Sequence, residues 1–343
     1  MKVCIEALTP IHIGSGQVLS PLEYLWDNDR FVRVNMEAFL ADPALCGAPE
    51  AVDRFSARAG AGRPEDRYLG ADADLASLAR KHLGYALPVD PGASGSAKKD
   101  VQEHVKTSLG AYIPGSSLKG ALLAAAAFSL LADKKAPWPA GEAWRQDDEL
   151  RDNIARELCG GDRFSRWLQV SDSDCRPAPE SLMLVKAGLD RSRWARQGKG
   201  PLKAAPVLYE ALKPGTKFFI DIRSVWDKEG KRRPQAEESQ ALDDLLGFAK
   251  RFGNKLAQVE GFEPPSSKAT LVRLGQGAGA WRTSLLLAAG ILQKRDYRLG
   301  RFVPKRGELD LERNPITCDS GPWTVKRAGS EPMGWASLSA ARE

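Results

Sequence analysis

The residues with the clearest capacity for chemistry lie in Tyr112-Ile113-Pro114-Gly115-Ser116-Ser117-Leu118-Lys119-Gly120, which runs on into an apolar stretch ending at Ala132. Pro114-Gly115 is turn chemistry. Ser116 or Ser117 suits a helix N-cap, because a hydroxyl accepts from an orphan N–H of the first turn. Leu118, Leu122, Ala126 and Leu130 recur at every fourth position, with Leu123, Ala127 and Leu131 beside them. A helix is therefore expected, apolar nearly all round and so buried. Lys119 falls in its first turn, where a cation opposes the helix dipole. That placement makes sense if an anion docks at the helix N-terminus, held by backbone N–H groups, Ser116, Ser117 and Lys119. The alternative is an ordinary capped helix whose lysine snorkels to solvent. A nucleotide P-loop is disfavoured, because G-x-x-x-x-G-K-[ST] is not met: the lysine precedes Gly120, and Ala121 follows. The anion to expect is a phosphate of a larger ligand.

Three further stretches carry possible ligand chemistry. Ile11-His12-Ile13-Gly14-Ser15-Gly16 is a short apolar piece entering a Gly-Ser-Gly loop, either a simple turn or a place where backbone approaches a ligand closely. Arg191, Arg193, Arg196, Lys199 and Lys203 surround Trp194 with no acid after Asp190. That segment reads as a solvated loop or as cations and an aromatic gripping a nucleic-acid strand. Gly275-Gln276-Gly277-Ala278-Gly279-Ala280-Trp281-Arg282 links a strand ending in Arg273 to a helix. Its G-x-G-x-G spacing is not the dinucleotide G-x-G-x-x-G, so it reads as a backbone-close loop for a sugar-phosphate chain, flanked by Arg273, Trp281 and Arg282. The histidines are His12, His82 and His104. Only His12, beside a glycine-rich loop, is attractive as an acid or base, against a structural role at a strand end.

The elements that must position these groups mix strands and helices without steady alternation, so the class is α+β. Expected strands are 3–8, 168–170, 182–186, 207–212, 217–225 and 269–274, with a hairpin across Asp27-Asn28-Asp29 and a short helix from Asn35. Longer helices are expected over 147–158, 237–258 and 284–292, and a shorter one over 74–82. Residues 41–110 are less legible, and 90–99 reads as an exposed loop. An apolar content of 43% over 343 residues suffices for a packed core, in two domains or one large elaborated one. A net charge of +6 favours an anionic partner. Five scattered cysteines without a C-x-x-C pair argue against a disulfide framework or zinc site and fit a reducing cytoplasm. The N-terminus is no signal peptide, and the apolar run 121–132 is too short to span a bilayer.

Y-I-P-G-S-S-L-K-G resembles the signature of the RAMP proteins, the RNA-binding backbone subunits of CRISPR effector complexes. The opening L-T-P-I-H-I-G-S-G, followed by a strand pair and a short helix, resembles the Csm subunit that caps one end of the type III-A complex. The strand into Ser171-Asp172, the glycine-rich loop and the late Gly334-Trp335 also match in order. The resemblance implies two ferredoxin-like (RRM-like) modules, at 1–180 with an insertion at about 41–110, and at 181–343 with a basic thumb-like segment at 188–204. It implies an RNA-binding, non-catalytic subunit without cofactor or metal, present once per complex at the 3′ segment of the crRNA. Target RNA, neighbouring Csm backbone subunits and the small subunit would be its partners. RNA contacts would come from His12, Gly14, Ser15, Gly16, Gly115, Ser116, Ser117, Lys119, Arg191, Arg193, Trp194, Arg196, Lys199, Arg273, Gly275, Gln276, Gly277, Gly279, Trp281 and Arg282. The competing expectation is a metal-independent endoribonuclease of the same superfamily that processes precursor crRNA through a histidine.

Overall fold

Strand β1 (Lys2–Ala7) alternates strictly, with Val3, Ile5 and Ala7 turned inward, as period-two patterning requires. It is the centre of the main sheet. One edge pairs antiparallel with β12 (Lys217–Arg223), from Lys2↔Asp221 to Glu6↔Lys217. The other pairs with β16 (Trp335–Ala340), from Val3↔Ala340 to Ala7↔Ala336. With β13 (Thr270–Arg273) and β9 (Gln169–Val170) the order is β13-β16-β1-β12-β9. The computed structural model describes residues 1–94, 98–133, 157, 168–190, 206–226, 231–266, 269–276, 284–292 and 325–341. The expected helix over 147–158, the 191–203 stretch, and Gly277 to Arg282 lie outside the described residues, apart from Glu157.

A second sheet runs β15-β14-β10-β11-β6-β2, with β2 (Gly14–Leu19), β6 (Val101–His104), β10 (Leu182–Asp190), β11 (Val207–Leu212), β14 (Val325–Ala328) and β15 (Glu331–Pro332). Only the β11–β6 pair among these is parallel. Both sheets take strands from either side of residue 180. The expected boundary there therefore does not separate two self-contained sheets, because strand partners are chosen by register and burial rather than by nearness in sequence.

The motif helix α6 (Gly115–Ala132) buries Leu118, Leu122, Ala126 and Leu130, together with Phe128 and Leu131. It is long and apolar enough to cross a membrane by length and composition, yet 56% of it is buried inside the protein. It packs against the Gln235–Glu260 helix, where Leu242, Leu245, Ala249, Phe252 and Leu256 face inward, and against the Ser284–Ile291 helix. Phe128 and Phe252 meet with ring centroids 5.1 Å apart. The long helix stops at Gly261, which takes the left-handed conformation usual past a helix end.

The segment from 24 to 88 has a hydrophobic core of its own. β3 (Tyr24–Asp27) and β4 (Arg30–Val34) form the expected hairpin, and β5 (Leu83–Pro88) adds to it. Five short helices intervene: α1 (Met36–Leu40), α2 (Pro43–Cys46), α3 (Pro49–Ala59), α4 (Pro64–Arg67) and α5 (Ala73–Ala79). Phe39, Leu45, Leu69, Leu75 and Leu78 from these helices and turns pack on Leu25, Val32 and Val34. Much of the less legible stretch before residue 80 is thus helical, in pieces of four to eleven residues, and the helix expected over 74–82 runs Ala73–Ala79. Nor is 90–99 wholly exposed: Asp90 caps a turn that buries Ala93 completely.

Candidate RNA interface

The start of α6 is built differently from the sequence expectation. Pro114 is the N-cap residue, and no hydroxyl caps the helix. The Gly115 N–H instead donates to the Asp172 carboxylate at 2.8 Å. Asp172 comes from the turn after β9, whose Ser173 Oγ accepts from the Ile113 N–H at 2.9 Å. Ser116 and Ser117 are therefore first-turn residues rather than caps, and a carboxylate already complements the helix dipole. Gly115 is fixed by space: a Cβ there would lie 2.4 Å from the Ser171 and Val170 carbonyl oxygens. Ser116 is exposed, while Ser117 and Lys119 are half-buried on the same turn.

The first glycine loop leaves β1 and enters β2. Gly14 pairs with His104 and Val18 with Gln102, so four steps along β2 oppose two along β6. The surplus is an exposed bulge at Ser15-Gly16-Gln17, with Gly16 at a φ of 89°. Ser15 Oγ donates to Glu103 Oε2 at 2.8 Å and accepts the Gln17 N–H.

The second glycine loop sits directly on the first. Gly275 has a φ of 69°, and a Cβ on it would come 2.1 Å from the His12 carbonyl oxygen. The next residue, Gln276, donates its N–H to that oxygen at 2.8 Å. Gly334 (φ 93°) donates its N–H to the Pro10 carbonyl, and its own carbonyl accepts the Leu274 N–H. Glycine is required at both places, since an L side chain there would be strained and would strike backbone. Ser117 and Gly120 of α6 and Gly275 of this loop line one cleft of about 330 Å³ against the long helix, with Arg273 at its edge. The helix motif and Gly275, remote in sequence, meet around this cleft, and Gly275 in turn touches His12 and Ile13 ahead of the first glycine loop.

Two residues in the expected contact set occupy other roles. His12 is fully buried, so its ring is not a ligand-facing group. Nδ1 lies 2.7 Å from the Glu210 carbonyl oxygen, and the ring packs on Tyr209 at 4.8 Å. Burial pushes its pKa down to about 4, with the Lys326 and Lys106 charges adding to the fall and the Glu210 carbonyl opposing it. His104 is also fully buried, and desolvation drives it well below the ordinary value. Arg273, expected as an available cation, has a side chain 5% exposed that pairs with buried Glu260 at 3.2 Å. Its guanidinium lies 5.0 Å above Trp335, which stacks on Phe262. Sequence could not show this partner, because Glu260 ends a helix on another element.

Beneath the loops lies a polar cluster that the sequence reading missed. Glu210, the one acid in the apolar strand Val207–Leu212, is completely buried and accepts from Tyr85 Oη at 2.6 Å and Lys106 Nζ at 2.8 Å. Lys326 Nζ donates to Tyr209 Oη at 2.7 Å and to Gln276 Oε1 at 3.0 Å, tying the second loop to the sheet. A lone acid inside an apolar strand was the signal available for Glu210. Among the described residues no group of three or more His, Cys, Asp or Glu is arranged to hold a metal.

Fold and site together define a mixed α+β protein in which the N-terminal part of a buried helix shares a cleft with Gly275, at the start of a glycine-rich loop. A sequence model of the RAMP superfamily matches residues 4–256, and the chain belongs to that superfamily. It is 25% identical over 332 residues to the CRISPR system Cms protein Csm5 of Streptococcus thermophilus, covering 92% of this chain and 88% of that relative. Among solved structures it resembles the crystal structure of T. onnurineus Csm5 (TM-score 0.61, 18% identity, 97% of this chain and 99% of that one). It also resembles a chain of a cryo-EM Csm-crRNA-target RNA ternary complex of a type III-A CRISPR-Cas system (TM-score 0.63, 17% identity, 99% and 100%).

Proposed function

We propose that this chain is an RNA-binding backbone subunit of a type III-A (Csm) CRISPR effector complex. It caps the 3′ end of the crRNA and contributes to crRNA maturation and target RNA binding. The observation that carries this reading is the meeting of Ser117 and Gly120 with Gly275 around one cleft, with the His12–Gly16 loop packed against Gly275. Glycines leave the backbone open to a sugar-phosphate chain, and Ser116, Ser117 and Lys119 offer donors beside it. The Csm5 relative and the crRNA-bound structural neighbour support the same assignment. Neighbouring Csm backbone subunits and the small subunit are its protein partners, in a cytoplasmic complex that holds it once. The two ferredoxin-like modules, at 1–180 and 181–343, would share their sheets, since each sheet takes strands from both halves. A thumb-like role falls to the basic segment 188–204, whose cations beyond Asp190 lie outside the described residues. Bases are stacked or splayed rather than read, since such a subunit accepts any guide.

The subunit is non-catalytic in this reading. A histidine that exchanges protons with RNA must reach it, and His12 and His104 are both fully buried and depressed in pKa. The test is Lys119→Ala. The variant should stay folded, bind single-stranded RNA more weakly, and lower the salt slope of binding by about 0.7 for one lost phosphate contact. The RNA should be recovered intact with and without magnesium. Unchanged affinity and slope would remove Lys119 from the interface, and cleavage would favour the processing-enzyme reading.

A further inference from the structure

We propose that Glu210 is the positioning residue of the RNA groove: its buried carboxylate sets the shape of the exposed Ser15–Gln17 bulge through a relay of Lys106 and Glu103. The proposal rests on the RNA-binding reading above and names what holds that site in shape.

The Glu210 side chain is 0% exposed. Its oxygens take three donors from three stretches of chain: Tyr85 Oη of β5 at 2.6 Å, the His104 N–H of β6 at 3.1 Å and Lys106 Nζ at 2.8 Å. Its backbone carbonyl faces His12 Nδ1. Lys106 Nζ reaches on to Glu103 Oε1 at 2.8 Å, and the other Glu103 oxygen accepts from Ser15 Oγ at 2.8 Å. A continuous line of charge-assisted bonds thus runs from the middle of the second sheet to its exposed edge. That edge is where the ladder fails: between Gly14 and Val18 the bulge has no register partner on β6. Ser15 is its side-chain tether. The Lys106 charge offsets the burial of Glu103 and holds its carboxyl below the ordinary range, so the tether is an ionised acceptor at neutral pH.

Stability alone does not ask for such an arrangement. A buried ion pair adds little over well-packed apolar side chains, and its best-attested use is to fix one geometry among several. Here the geometry fixed is that of a glycine-containing bulge at the exposed edge of the second sheet, two residues on from the Ile13 that touches Gly275. The relay touches no solvent-facing ligand position except through Ser15, so Glu210 acts through other residues.

The experiment uses the purified full-length chain and a fluorescein-labelled single-stranded RNA of mixed sequence, titrated at several salt concentrations. Glu210→Gln should weaken binding by about tenfold, the equivalent of one charge-assisted hydrogen bond. The salt slope should stay at the wild-type value, because no phosphate contact is removed. Ser15→Ala should lose less, and the double variant should bind no worse than Glu210→Gln alone, since both act on the same bulge. Glu103→Ala, nearer the surface, repeats the test if Glu210→Gln fails to fold. Wild-type affinity in folded Glu210→Gln or Glu103→Ala would overturn the proposal, as would losses that add with Ser15→Ala. A slope lowered by about 0.7 would also overturn it by showing a direct phosphate contact. If the wild-type chain binds no RNA, the functional reading itself fails, a result distinct from each of these.

Discussion

Acidification should unfold this protein through two histidines, and His12→Asn should remove a defined part of that sensitivity. In the unfolded chain a histidine takes up its proton near 6.5, whereas folded His12 does so only at about 4. Between those values the unfolded state binds more protons, so stability falls as pH falls. The stabilisation is fully present above 6.5 and is lost progressively toward 4. The gap corresponds to about 3 kcal/mol, of which roughly 2 kcal/mol is lost by about pH 5. His104, pushed well below its ordinary value by burial and then by His12 and Lys106, acts in the same direction. The His12 loss alone is a sizeable part of the ~5–15 kcal/mol that typically holds a domain folded. Asn can offer a side-chain N–H toward the Glu210 carbonyl but does not titrate. Urea midpoints measured from about pH 7.5 to about pH 5 should therefore fall less steeply in the variant, by the roughly 2 kcal/mol that His12 contributes over this range. Parallel curves for wild type and variant would refute the reasoning, as would an NMR titration placing folded His12 near its ordinary value.

Gly120 has nothing within 4 Å of the position a Cβ would take, so packing does not demand it. Gly120→Ala should stabilise the isolated protein by about 0.5–1 kcal/mol in thermal unfolding while weakening RNA binding, because it narrows the cleft. Gly275→Ala should cost roughly 2–4 kcal/mol, from a left-handed φ of 69° and a clash with the His12 carbonyl. A stable Gly275→Ala protein in a chemical melt would contradict the close contact of the two loops.

Local chemistry was readable wherever a residue's environment is made by its own neighbours in sequence. The buried helix through Leu118–Leu131, the Asn28 hairpin turn, the Asn35 cap and the long helix about Leu242–Leu256 all follow from short-range pattern. The misreadings share one cause, a partner brought from far along the chain. Asp172 replaces the serine cap, Glu260 occupies Arg273, and Glu210 with Tyr209 encloses His12. Distant registers likewise interleave strands across the expected boundary at 180. The helices between 43 and 67 escaped for a different reason. Each is eleven residues or fewer, and several open on proline after a polar or alanine cap, so turn signals outweigh periodicity.

The central placement of β1 has a consequence for synthesis. Its neighbours are β12 and β16, so residues 2–6 wait for partners at 217–221 and residues 3–7 for partners at 336–340. As the chain leaves the ribosome, β1 can gain its first neighbour only after some two hundred residues, and its second only when nearly all of the chain is out. Such pairing carries a high closure entropy and folds slowly. Until then Val3 and Ile5 are apolar groups without a sheet, exposed to aggregation or to chaperones. A prematurely terminated product lacking β16 would leave the edge of β1 unpaired and would also lack Gly334, whose backbone links Pro10 to Leu274. The same late stretch therefore completes the main sheet and joins Pro10 to Leu274, so that the proposed RNA site can take shape only once the chain has been made through residue 340.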